Sequence, residues 1–177
     1  MNRFIIFICF FLIVGCSIST TQSPLYEGKD LVIGVIGELP DVREKNIKFI
    51  SISFNDLETI NDLSSQFDAV IITKEHLSEA AHAQYAKIYK TSGIPFFFME
   101  STKSYFPFIL EDKSYEDIRD ISVKTGDYAT GFLQLDEENI KYWGYGLYKN
   151  EVNKENVQDV YSRIFSTIES IEYSKLK

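Results

Sequence analysis

Three short apolar runs constrain the fold more than anything else in the chain. Leu31-Val32-Ile33-Gly34-Val35-Ile36 is continuous and β-branched, Ala69-Val70-Ile71-Ile72 repeats the pattern within 67–73, and Phe96-Phe97-Phe98-Met99 completes a run over 94–99. A half-exposed strand alternates apolar and polar residues, because successive side chains point to opposite faces. Runs that do not alternate suit strands covered on both faces, the usual state of a parallel sheet. A further strand, more alternating, is expected over 47–54. Asn55-Asp56-Leu57-Glu58 has the spacing of a capping box, which predicts a short helix through Ser65. Leu77, Ala81, Tyr85, Ile88 and Tyr89 are spaced to form one buried helix face, and Gly93 is a natural stop.

The C-terminal third changes rhythm. A weaker helix is expected over 114–123, then strands over 130–135 and 140–148 joined by Asp136-Glu137-Glu138-Asn139 as a hairpin. Val157, Val160, Tyr161, Ile164, Phe165, Ile168 and Ile171 repeat at helical spacing behind a cap at Asn153. The order β-α-β-α-β-α-β, then α-β-β-α, predicts a three-layer α/β/α domain with a mainly parallel sheet and an antiparallel C-terminal edge hairpin. The closing hairpin and helix also resemble the end of thioredoxin-like domains, so a thioredoxin-like α/β fold is the alternative. The chain lacks that family's Cys-x-x-Cys, and the strand entering the hairpin lacks its proline.

The N-terminus has the parts of an export signal: Arg3, then an unbroken apolar run over 4–14. Eleven helical residues reach about 16 Å, half the thickness of a bilayer core, so a permanent span is not expected. The residues that follow complete Ile13-Val14-Gly15-Cys16, which resembles the lipobox of bacterial lipoproteins. The resemblance covers the first sixteen residues. It implies diacylglycerol on the Cys16 sulfur, cleavage before Cys16, and a chain held by lipid on the extracytoplasmic face of the cell membrane. Residues 1–15 are then the signal peptide, 16–28 the lipidated cysteine and tether, and 29–177 a single domain. Ser17-Ile18-Ser19-Thr20-Thr21-Gln22-Ser23-Pro24 suits a short polar tether. The other cysteine, Cys9, leaves with the signal, so the domain would hold no thiol and no disulfide.

Charge excludes some functions. The net charge is −8, and loss of Arg3 with the leader makes it −9. A nucleic-acid partner would require a basic stripe. Gly34-Val35-Ile36-Gly37 is neither Gly-x-Gly-x-x-Gly nor a Walker loop, so no nucleotide cofactor is expected. His76-x-x-Glu79-x-x-His82 puts its ends about 120° apart on a helix, poor geometry for a metal, so no metal site is expected. No Gly-x-Ser-x-Gly elbow marks a hydrolase nucleophile.

Two regions remain as candidate binding sites. In open parallel sheets ligands gather beyond the carboxyl ends of the strands. Those ends carry Gly37-Glu38, then Ser53, Asn55 and Asp56, then Lys74-Glu75-His76, then Glu100-Ser101-Thr102-Lys103. Glu38 and Glu100 are the candidate rim residues. Tyr105, Phe106 and Phe108 fall in an expected loop, either as a lid folded back on the core or as a contact surface. In Tyr142-Trp143-Gly144-Tyr145-Gly146-Leu147-Tyr148, alternation separates Trp143, Tyr145 and Leu147 from Tyr142 and Tyr148. The expectation is a non-catalytic, lipid-anchored binding or interaction module, with an envelope protein or glycan as partner. The alternatives are a small envelope enzyme using strand-end carboxylates and histidine, or a transporter-associated ligand-binding lipoprotein. Replacing Cys16 with Ser is expected to abolish lipid labelling and membrane retention while leaving the domain folded. Lipid labelling of the variant would contradict the assignment.

Overall fold

Strand β1 (Leu31–Ile36) lies inside a six-stranded sheet, as its apolar run requires. In this computed structural model residues 23–121 and 126–171 are described. The signal segment, Cys16 and tether residues 17–22 lie outside the described residues. Strands β2 (Ile47–Ser51), β3 (Ala69–Ile72), β4 (Phe96–Met99), β5 (Asp127–Gln134) and β6 (Ile140–Gly146) complete the order β2-β1-β3-β4-β5-β6. The first four run parallel; β5 is antiparallel to β4 and forms a hairpin with β6. The chain is therefore a mixed α/β fold with a mostly parallel sheet, closed by antiparallel C-terminal strands.

Alternation along these strands divides the core in two. Val70, Ile72, Phe96, Phe98 and Phe132 face one side, where α1 (Phe54–Thr59), α2 (Leu77–Ala80), α3 (Ala83–Thr91) and α4 (Phe106–Ile109) cover them. Leu31, Ile33, Val35, Ile71 and Phe97 face the other side, covered by α5 (Lys154–Ser170) and Tyr26. All of these strand residues are 0% exposed, so β3 and β4 are sealed on both faces, and in β1 only Val32 is half-buried. Asn153 caps α5 as expected, its side chain accepting from Asn156 N at 2.9 Å.

Several local expectations are corrected. The capping box begins at Ser53: its hydroxyl accepts from Asp56 N at 3.3 Å, and the Asp56 carboxylate accepts from Ser53 N at 2.7 Å. Consequently β2 ends at Ser51 and α1 at Thr59, while Leu63–Ser65 is a separate 3-10 turn capped by Asp62. The long helix expected before Gly93 is broken, because His82 takes an extended backbone (φ −67°, ψ 136°) and starts α3 anew. Gly93 does adopt the left-handed conformation that ends it (φ +73°). No helix joins β1 to β2, and 114–121 runs through turns, pinned where Ile121 N donates to Thr102 O at 2.7 Å. Residues 122 and 123 of that expected helix lie outside the described residues.

Phe98 stacks on Phe108 with centroids 3.6 Å apart and meets Tyr89 edge-on at 5.4 Å. Phe98→Ala should lower unfolding free energy by about 3–5 kcal/mol through lost burial and a residual cavity. Phe106→Ala, at a residue 41% exposed, should cost less than about 1 kcal/mol. Urea denaturation of both variants checks the contrast.

Candidate functional site

The chain leaves β1 toward β2 on one side, and leaves β3 toward β4 on the other. Loops departing in opposite directions leave a gap between them, and ligands of open α/β sheets bind at that switch point. A crevice of about 480 Å³ lies there, beyond the carboxyl ends of β1, β3 and β4. Glu38 follows β1; Thr73, Lys74 and Glu75 follow β3; Met99 ends β4 and Glu100 follows it. Tyr128 of β5 and Asn153, Lys154, Val157 and Tyr161 around the start of α5 close the other wall.

Gly37 makes the close approach of the β1 and β3 loops feasible. Its φ of +116° suits glycine, and a Cβ there would sit 1.7 Å from Thr73 Oγ1. The Thr73 hydroxyl stands 2.6 Å from Glu75 Oε1 and 3.2 Å from Ile36 O. Hydrogen bonds from that hydroxyl, and next from the backbone of Glu75 itself, hold the Glu75 carboxyl below its ordinary pKa. Glu75 thus stays ionised at neutral pH and somewhat below the usual carboxylate range.

Across the crevice Glu100 has φ +54°, a left-handed backbone that carries its carboxylate to Lys74 Nζ at 3.1 Å and Tyr128 OH at 3.5 Å. Burial, reinforced by the Glu100 charge, pushes the Tyr128 phenol up to about 12. Tyr128 therefore presents a neutral O–H at neutral pH. Burial likewise raises the Tyr161 phenol well above its ordinary value. At the outer rim Lys154 pairs with Asp41 at 2.7 Å. Four carboxylates (Glu38, Asp41, Glu75, Glu100) thus face two ammonium groups (Lys74, Lys154), and each lysine is already paired.

The other strand-end residues go elsewhere. Ser53 and Asp56 are occupied in capping α1. Ser101 is buried and donates to Ser104 O at 2.8 Å; Thr102 and Lys103 turn to Asp120 at 2.5 and 3.4 Å. His76 lies edge-on to Phe54 at 6.2 Å, and His82 stacks on Tyr85 at 6.4 Å. Among the described residues no group of three or more His, Cys, Asp or Glu side chains could hold a metal ion.

The aromatic residues form a second feature. Phe108 is a core residue, 1% exposed, whereas Tyr105 stacks on Phe132 at 5.5 Å and so folds the segment back onto the sheet. Tyr105 also stands 4.7 Å from Phe106 and 5.3 Å from Tyr142, and these two side chains are 41% and 64% exposed. Trp143, Tyr145 and Leu147 pack on the α5 face, as alternation expects. A hollow of about 690 Å³ at the opposite end of the sheet is lined by Phe67, Lys90, Ile94, Leu135 and Asp136, away from the switch point.

Glu38 and Glu100 are brought together in the crevice. Sequence reasoning missed Thr73, Tyr128, Lys154 and Tyr161 as members of it. Thr73 sits one residue beyond an apolar run, a place where the strand-end argument could have found it. Tyr128, Lys154 and Tyr161 come from elements whose position depends on tertiary packing. Among the described residues no helix is long and apolar enough to cross a membrane. Compared with protein-family models, curated proteins and solved structures, the chain matches none.

Proposed function

We propose that this chain is a lipid-anchored, extracytoplasmic, non-catalytic binding module whose ligand site is the switch-point crevice. Its ligand carries positive charge. One observation supports this above others: the crevice holds four carboxylates against two lysines, both of them already in ion pairs. Among the described residues, Glu38 and Glu75 have no lysine or arginine within ion-pairing distance. Glu75 in particular is kept ionised by fixed hydrogen bonds. A cationic group entering between Glu38, Glu75 and Glu100 would gain charge-assisted hydrogen bonds, while the Tyr128 hydroxyl, donating to Glu100, keeps its oxygen to accept from a ligand. The same charge disfavours phosphate-bearing ligands, in keeping with the absence of a phosphate-binding loop.

A second reading has its own observation. Tyr105, Phe106 and Tyr142 form an exposed aromatic surface beside the edge strand β6, suited to stacking against a glycan ring or an apolar peptide side chain.

A photoreactive amino acid placed in intact cells distinguishes the two sites. At Val152, beside the crevice and 72% exposed, it should give a discrete adduct. Glu75→Gln or Glu100→Gln should weaken binding about tenfold each, the scale of one charge-assisted contact, and reduce that adduct. An adduct formed from Tyr142 alone, unchanged by either substitution, would overturn the crevice assignment in favour of the aromatic surface.

A further inference from the structure

The first described residues run along α5 in a defined direction. Lys29 N donates to Glu169 Oε1 at 3.0 Å near the end of that helix. The Tyr26 ring meets Phe165 at 6.1 Å, and Ser23 N donates to the Asp159 carboxylate. Followed backward from β1, the chain therefore climbs α5 from 169 to 159, about 15 Å, toward the crevice. Buried polar contacts fix this course. Glu44, 7% exposed, accepts from Tyr26 N at 3.3 Å and from Ser162 Oγ at 2.5 Å. The Arg43 guanidinium reaches Ser162 Oγ at 2.5 Å and the Ser23 carbonyl at 3.4 Å.

The tether length then restricts how the domain can hang. Six residues lie between Cys16 and Ser23. The seven Cα-to-Cα steps across them reach no more than about 25 Å when fully extended. Along the α5 axis the helix start at the crevice lies about 8 Å beyond Ser23, and the last residue of the helix about 16 Å behind it. Turning that opposite end to the membrane would require the tether to double back along α5 and use most of its reach, whereas the crevice end needs only a short part of it. A second observation agrees in direction. Leu39, Tyr148 and Val152 flank the crevice end with 50%, 45% and 72% exposure, and Lys149 Nζ stands 5.2 Å over the Tyr148 ring. Although exposed Glu38 and Glu151 flank Leu39 and Val152, apolar tips beside Tyr and Lys suit the interfacial zone of a bilayer.

We propose that the crevice end of the domain faces the bilayer and touches its surface through Leu39, Tyr148 and Val152. The crevice then receives its cationic group from the membrane side. This rests on the lipid anchor at Cys16 stated above. The contact is small and apolar, so it does not require the acidic domain to adhere to anionic lipid.

The test uses the full chain, lipidated in cells and reconstituted into phosphatidylcholine vesicles. Cys16 is blocked by its thioether and Cys9 is removed, so an introduced cysteine is the sole labelling site. Val152→Cys and Glu137→Cys, both at exposed positions on opposite ends of the sheet, are labelled with a fluorophore and exposed to headgroup-spin-labelled lipid. Leu39→Cys and Asp136→Cys form a second pair in case one variant misfolds. The crevice-end labels should be quenched several-fold more strongly than those at the opposite end. Equal or reversed quenching, with diacylglycerol on Cys16 confirmed by mass spectrometry, overturns the orientation alone. A chain without that lipid overturns the anchor, and the orientation with it.

Discussion

The position of β1 between β2 and β3 is the constraint on which the rest of the structure depends. Its residues are apolar on both sides, so they must be covered by two layers, and a central place in a sheet supplies both. From that place the chain can turn first one way and later the other. The opposed turns leave an opening that no side chain of the sheet fills. The crevice is thus a consequence of strand order, while its chemistry is set by the residues that happen to follow each strand. Gly37 is the point where the two meet, because its open backbone lets the Thr73 hydroxyl approach and order Glu75.

Electrostatics give this opening its character. In the Lys74–Glu100 pair the lysine side chain is 65% exposed, so the pair contributes little stability after solvent screening. Its effect is local: it occupies the cation nearest to Glu100 and leaves Glu38 and Glu75 to define the field. The depressed pKa of Glu75 also has a sign. Its stabilising contribution is present above the pKa of the unfolded chain and fades as pH falls through the lower folded value. Glu75 therefore keeps its charge under mildly acidic conditions.

Much of the sheet was legible in the residues themselves. Leu31 to Ile36 and Phe96 to Met99 are unbroken apolar runs that suit doubly covered strands, while the hairpin and α5 each showed a period that one type of element satisfies. The errors fell where local chemistry competes with periodicity. Ser53 rather than Asn55 opened α1, because the reciprocal bonds with Asp56 need an extended residue there. The apolar spacing across Leu77 to Tyr89 is continuous, yet the extended backbone of His82 divides it into two helices that still bury the same face. Segment 114–121 shows the opposite failure: a weak helical pattern gave way to turns held by Asp117 and Thr102. For the site, strand-end logic reached Glu38, Lys74, Glu75 and Glu100. It could not reach Tyr128 or Tyr161, which are far away in sequence and enter only through packing of β5 and α5. The course of residues 23–29 along α5 was equally invisible, since it depends on side chains more than a hundred residues away.

The proposed function requires the crevice to be a site for positive charge. Amide chemical shifts of the isotope-labelled, unlipidated Cys16→Ser chain, titrated separately with spermine and with inorganic phosphate, measure this directly. Spermine should give saturable shifts confined to Glu38, Thr73, Lys74, Glu75 and Glu100, and phosphate none. Shifts with phosphate at those amides, or spermine shifts scattered over the surface without saturation, would contradict it.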